Sequence, residues 1–268
     1  MDISIVYIVA GLSSRFGGKI KQFARIGPNG ETLIEYSLNQ ALKSGFNKII
    51  FVVGEKTEKP FKEMFGDSYN GIKISYAFQK FDETERDKPW GTTDALCSAK
   101  EIIDCPFVVC NGDDIYGEES FNILVNHIKE NNNDATVGYL FKDVLPEEGE
   151  VNRGVFKVNP LTKKVENLKE CIGVSKINLG ERELNNEDLC SMNIFALFPD
   201  TLKLLSEKLD KFKEKNQGDR KLECFLPTEI NGLIKEGKIE MNIYPTKGKW
   251  FGVTRPEDEI KVKEELKK

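Results

Sequence analysis

Through its first 140 residues the chain alternates two kinds of hydrophobic pattern. Apolar runs of strand length, Ile3–Val9, Lys48–Val53, Ile72–Phe78, Pro106–Cys110 and Ala135–Phe141, are separated by segments of helical period. Those segments are Thr32–Ser44, Pro60–Phe65, Thr93–Ile103 and Glu119–Asn131. The first helix carries its own start and stop signals: Thr32 with Glu35 three residues on forms a capping box, and Gly45 follows its end. Such alternation predicts an α/β fold, a mostly parallel mixed sheet flanked by helices on both faces, with ligands outside the carboxyl ends of the strands.

Beyond residue 150 the pattern is less regular. Gly154–Val158 and Lys164–Leu168 read as short strands around the Asn159-Pro160 turn, and Cys190–Leu197 as a further strand. A helix is expected from Pro199, with Leu202, Leu205, Leu209 and Phe212 on one face. Pro227–Lys235 reads as a helix, Ile239–Tyr244 as a strand, and Pro256 as the start of a terminal helix. No repeat or Pro/Ser-rich linker divides the chain. The expectation is a single domain over residues 1–268, with an internal boundary near residue 150.

Composition narrows the function classes. The 268 residues suffice for a sizeable core, and 39% hydrophobic with 31% charged residues is globular usage. A net charge of -5 disfavours general nucleic-acid binding, so a basic patch must be local. No apolar run has the length of a membrane span and no signal-peptide pattern opens the chain, so no membrane association and a cytoplasmic location are expected. The six cysteines form no C-x-x-C, which argues for reduced thiols rather than zinc or disulfides. The lone histidine, His127, lies in a helical stretch with no nucleophile motif beside it, which sets aside Ser-His-Asp and Cys-His chemistry.

Three segments carry candidate chemistry. The first strand stops at Ala10-Gly11 and opens into a glycine-punctuated loop, Ala10 to Gln22, with cations at Arg15, Lys19 and Lys21. Small residues let a ligand approach the backbone, and clustered N–H groups with cations suit a polyphosphate, which makes Ala10, Gly11, Leu12, Ser13 and Ser14 candidate polyphosphate-binding residues. Ser13 excludes the dinucleotide fingerprint; a Walker A loop would need Gly at Ser13 and Ser or Thr at Ile20. Taken alone, the loop also reads as a tight β-to-α turn with solvated cations.

The second segment is Asn111-Gly112-Asp113-Asp114-Ile115-Tyr116-Gly117, after a buried-strand pattern. Adjacent carboxylates there suit Mg²⁺ shared with substrate phosphates; an acidic turn is the plainer alternative. The third is Lys88 to Leu96, preceded by Gln79. Gly91 would permit close approach of a flat base while Thr92 and Gln79 supply hydrogen bonds; Thr92 or Thr93 would also cap the following helix.

Together these segments resemble the sugar-phosphate nucleotidyltransferases, the nucleoside-diphosphate-sugar pyrophosphorylases. The loop is similar to their A-G-x-x-[ST]-R-x-G and K-Q elements, the acidic turn to G-D-x-[IV]-x-x-G, and Gly91–Leu96 to G-T-x-x-A-L. The resemblance implies a Rossmann-like, GT-A-type fold and transfer of a nucleotidyl group from an NTP to a phosphorylated small-molecule acceptor. By the same resemblance Arg15 and Lys21 are catalytic, with Lys19 the alternative to Lys21. Asp113 is the Mg²⁺ ligand, with Mn²⁺ able to substitute. Asn152-Arg153-Gly154-Val155, Glu170 and Ser191-Met192-Asn193 resemble acceptor-side segments, so Asp114, Arg153, Gly154, Glu170 and Asn193 are expected at the acceptor.

Two departures stand out. Cys171 occupies the position of the acceptor-phosphate lysine, for which Lys88 or Lys169 could substitute. Gly252, two residues after Trp250, replaces a second metal-binding carboxylate. The resemblance implies a sugar 1-phosphate acceptor and a pyrimidine nucleotide, UTP ahead of CTP and dTTP. The alternatives are a cytidylyltransferase for a polyol or amino alcohol phosphate, and a metal-dependent glycosyltransferase. At 268 residues, the C-terminal β-helix domain of bifunctional members is not expected.

Overall fold

Apolar runs with flanking turn signals become the strands, and amphipathic stretches the helices that cover them. The computed structural model describes residues 1–11, 20–253 and 256–267. In chain order the elements are β1 (Ser4–Ile8), α1 (Leu33–Lys43), β2 (Lys48–Val53), α2 (Glu58–Phe65), β3 (Ser68–Tyr69), β4 (Ile72–Phe78), α3 (Thr92–Cys97), β5 (Phe107–Asn111), β6 (Asp114–Ile115), α4 (Glu118–Glu130) and β7 (Asp134–Leu140). Then follow α5 (Phe141–Val144), β8 (Val151–Val158), β9 (Val165–Val174), β10 (Leu189–Ser191), β11 (Phe195–Leu197), α6 (Pro199–Lys215), α7 (Leu226–Lys235), β12 (Met241–Pro245), β13 (Phe251–Gly252) and α8 (Pro256–Glu265).

One sheet runs in the order β3-β4-β2-β1-β5-β11-β7-β10-β8-β9, with β12 also pairing β7. Following the pairings, β1, β2, β4, β5, β7, β8 and β12 share one direction and β3, β9, β10 and β11 oppose it. The mixed, mostly parallel sheet is therefore as expected. Alternation within β1 shows how both faces are buried: Ile5 and Tyr7 join the core under α1, α2 and α4, while Val6 joins the core under α3, α6 and α7. Strand order reverses between β1 and β5, which opens a crevice beyond their carboxyl ends.

The capping box at Thr32 forms in both directions: Glu35 N–H donates to Thr32 Oγ1, and Thr32 N–H to Glu35 Oε2. Three local expectations are corrected. The helix expected to Ile103 ends at Cys97 and continues as turns. The strand expected over Cys190–Leu197 is broken into β10 and β11, because Asn193 adopts φ +59° and leaves the ladder. The turn after Asp113 contains a short strand, β6, which pairs with β13 from the far end of the chain.

His127 is structural: its Nδ1 shares a hydrogen bond with Tyr244 Oη at 2.9 Å and its Nε2 meets the Asn133 carbonyl at 2.7 Å. All six cysteines are free, and only Cys171 is partly exposed. Among the described residues no helix is long and apolar enough to cross a membrane.

Candidate functional site

The crevice beyond β1 and β5 is a cleft of about 600 Å³ with walls from both ends of the sequence. Its floor is built by β1 and β5. The Gly11 backbone leaves β1, and Asn111, Asp113 and Asp114 follow from β5. A single 3₁₀ turn, Lys21–Phe23, brings Lys21 to the same place. Lys21 Nζ donates to Asp113 Oδ2 at 2.8 Å across 92 residues of sequence. The lysine is buried and the aspartate partly exposed, so this pair lies at the mouth of the floor.

Asp114 points inward. It is 9% exposed and takes Asn111 Nδ2 at 3.0 Å, with the Tyr116 hydroxyl 3.3 Å away. Burial, together with the charge of Asp113, pushes its carboxyl up to about 7, against the opposing pull of Asn111, Lys21 and Arg153.

The opposite wall comes from β8, β9 and the break between β10 and β11. It contributes Arg153, Gly154, Glu170, Ser191, Met192 and Asn193 to the cleft. Gly154 and Glu170 are cross-strand partners, which sets the carboxylate beside the open backbone of the glycine. The Arg153 guanidinium lies 5.3 Å from the Trp250 ring centre and donates to the Asn152 and Val144 carbonyls. Burial holds its pKa below the ordinary value, opposed by acidic neighbours that include Asp114 and Glu170. Burial raises the Glu170 carboxyl, opposed by Arg153. Arg153 Nε and Trp250 Nε1 are buried donors without a hydrogen-bond partner.

Of the expected site residues, Gly11, Lys21, Asp113, Asp114, Arg153, Gly154, Glu170 and Asn193 line this one cleft. Leu12, Ser13, Ser14, Arg15 and Lys19 lie outside the described residues, and Ala10 is next to the cleft at the end of β1. Gln22, Asn111 and Trp250 line it as well. Gln22, Asn111 and Trp250 belong to motifs visible in the sequence, and the pairing of β13 with β6 brings Trp250 into the cleft. Gly252 lies opposite Asp114 in that pairing, and a Cβ there would meet the Trp250 ring at 2.5 Å and Asp114 Oδ1 at 3.2 Å. Glycine thus makes room for the indole and for the buried carboxylate.

The expected substitutes for the missing lysine are elsewhere. Lys88 pairs with Glu223, Lys169 is exposed outside the cleft, and Cys171 packs against the core under α1 and α4. Strand alternation explains the last, since Cys171 and Glu170 project to opposite faces of β9. Arg153 is the cation of this wall among the described residues.

Gln79, Gly91 and Thr92 lie beyond the cleft lining, at the outer end of the same sheet edge. Gly91 has φ +94°, and a Cβ on it would come within 2.8 Å of the Cys224 carbonyl; the close approach it permits on that side is from the backbone of residue 224, not from a base. Thr92 does not cap its own helix. Its Oγ1 accepts from Leu226 N–H at 2.9 Å, satisfying the first turn of α7 instead. Arg86, 4% exposed, stacks at 3.4 Å on Trp90 and donates to the carbonyls of Lys88, Asp219 and Leu222. The segment from 86 to 94 is therefore tied to the stretch between α6 and α7.

This arrangement has relatives. The sequence pattern of the nucleotidyl transferase family matches residues 19–224. The bifunctional protein GlmU of Staphylococcus carnosus is 28% identical over 247 residues, 87% of this chain and 45% of that protein. A D-glycero-alpha-D-manno-heptose 1-phosphate guanylyltransferase of Campylobacter jejuni is 27% identical over 126 residues, 46% of this chain and 53% of that one. The chain thus spans about half the length of these curated relatives. A UDP-glucose pyrophosphorylase crystallised with UDP-glucose shares the fold at a TM-score of 0.71 and 16% identity, over 100% of this chain and 99% of that one. With its pattern matched over most of its length, the chain belongs to the nucleotidyl transferase family.

Proposed function

We propose that the protein joins an NTP, UTP first, to a sugar 1-phosphate, giving an NDP-sugar and pyrophosphate. The observation that carries this reading is the Lys21–Asp113 pair at 2.8 Å, facing a wall that bears Arg153 and Glu170. The cleft thereby offers charge for phosphates on one side and a hydroxyl acceptor with a cation on the other. Residues 1–150 would supply the nucleotide side and 151–268 the acceptor side.

In the reaction an acceptor phosphate oxygen attacks the α-phosphorus in line and pyrophosphate leaves, with no covalent enzyme intermediate. Positioning and charge stabilisation then supply the rate. Lys21 places its ammonium at the phosphates, Arg153 holds the acceptor phosphate or ring, and Glu170 accepts from sugar hydroxyls. Arg15 would add a second cation to the phosphate loop.

The donor set suits a hard divalent cation: Asp113 offers a carboxylate partly exposed to the cleft, with the Asp114 carboxyl next to it. Asp113 would hold Mg²⁺ together with substrate phosphates, with Asp114 beside it. The ion, when bound, supplies charge neutralisation at the phosphates.

Pyrophosphate release across a panel of NTPs and sugar 1-phosphates tests the reading. Release that requires both substrates supports it. Sugar transfer from an NDP-sugar without pyrophosphate would replace it with a glycosyltransferase, and turnover only with a polyol or amino alcohol phosphate would change the acceptor class.

A further inference from the structure

Gln79 follows β4 at the carboxyl edge of the sheet, its N–H on the Val53 carbonyl at 2.8 Å, and the residue is 7% exposed. Its Nε2 donates to the Gly91 carbonyl at 3.1 Å and to Asp94 Oδ2 at 2.7 Å. Both partners can only accept. Asp94 is itself buried, at 6% exposure, and its other oxygen takes the ammonium of Lys213 from α6. Turning the amide over would set Oε1 against the Gly91 carbonyl and Asp94 Oδ2 and take the donor from both, which buried polar groups resist. The amide therefore has one orientation, and its carbonyl oxygen is the pole with no hydrogen bond among the described residues.

β4 stands two strand spacings from β1, about 10 Å from the Gly11 end of the cleft. We infer that Asp94, paired with Lys213, fixes Gln79 so that Oε1 faces the nucleobase and selects bases with a ring N–H, uracil, thymine or guanine, over cytosine and adenine. In the latter pair the corresponding ring nitrogen carries a lone pair, so two acceptors would meet; only an exocyclic amine in a shifted pose could donate. The inference rests on the reading of Gln79 as part of the nucleotide site. Asp94 and Lys213 act as positioning residues. They would touch no substrate.

The test is Asp94→Asn, assayed with UTP, dTTP, GTP, CTP and ATP at fixed acceptor. With Lys213 in place, the new amide turns its oxygen to the ammonium and its NH₂ toward Gln79, which must then present Nε2 outward. The ratio of kcat/KM for UTP over CTP should fall at least tenfold, mainly through the nucleotide KM, while a structural role alone would weaken both nucleotides together. Gln79→Met provides a second variant should Asp94→Asn not fold; it should bring the two nucleotides to near parity. Calorimetric Kd values for UTP and CTP follow the same pattern and need no turnover.

A wild-type preference for CTP or ATP overturns the inference while leaving nucleotidyl transfer standing. So does a ratio unchanged in both variants. A preference for GTP supports the amide lock and contradicts UTP as the substrate. If no NTP turns over, the proposed function fails, and the Kd ratio in wild type and Asp94→Asn still decides whether the lock selects the base.

Discussion

The two ends of the site are built on opposite terms. In the cleft, two buried donors are left without partners, Arg153 Nε on the wall and Trp250 Nε1 beside Gly252, and burial pushes the Asp114 carboxyl of the floor upward. At the outer end of the same sheet edge, the Gln79 NH₂ group, Thr92, Asp94 and Arg86 are hydrogen-bonded inside the protein. An unmet buried donor costs about 1–3 kcal/mol, so the cleft carries a local loss. The outer end is a rigid frame. The difference is that the cleft keeps buried donors unmet, while the outer end fixes its side chains through bonds within the protein.

The comparison breaks most visibly if floor and frame respond alike to substitution. Asp113→Asn and Lys21→Ala should each lower kcat by roughly two to three orders of magnitude, the scale of losing a transition-state charge donor, with little change in melting temperature. Activity of either variant within tenfold of wild type would remove the floor from the chemistry, as would full turnover in EDTA for Asp113.

Gly91→Ala should do the reverse. Its Cβ would collide with the Cys224 carbonyl, at a φ of +94° that alanine resists, so stability should fall by about 2 kcal/mol with a modest rise in nucleotide KM. A melting curve identical to wild type would show that the frame yields easily.

Arg153→Met tests the acceptor wall. The acceptor KM should rise about tenfold, the scale of a lost charge-assisted hydrogen bond, with the NTP KM unchanged. Equal effects on both substrates would place the guanidinium at the junction between them.

The smallest effect concerns a buried carboxylate away from the cleft. Asp134 accepts from Thr201 Oγ1 at 2.7 Å and from Phe198 N–H at 3.1 Å, yet burial raises its pKa from 3.8 to about 6. The folded state thus binds a proton that the unfolded chain has released, and this contribution is present below the unfolded pKa and lost as pH rises from about 4 to about 6. The slope is at most about 1.4 kcal/mol per pH unit. Asp134→Asn should flatten that part of the stability profile; an unchanged slope would assign it to other groups.

Much of the fold was legible because its signals are local. β2 and β4 fall at the expected residues, and the Thr32 capping box needs only four adjacent residues. Gly11 and the acidic turn each lie at the end of an apolar run, so their meeting follows from parallel neighbours in a sheet. The acceptor wall was legible only in part. Arg153 and Glu170 reach the cleft as expected, but Cys171 faces the other way and neither Lys88 nor Lys169 takes its place.

What the sequence by itself determined, then, is which segments are strands and helices, where the chain turns, and which polar residues sit at strand ends. Periodicity and capping depend on neighbours within a few residues, and solvent partition sorts them without knowledge of the rest of the chain. Only the tertiary structure decided which way the Gln79 amide points, that Thr92 caps a helix 134 positions on, and that Trp250 folds over Gly252 beside Asp114. Those are choices among partners far apart in sequence. They are settled by packing and by the need of each buried donor and acceptor for a mate, which no local pattern can supply.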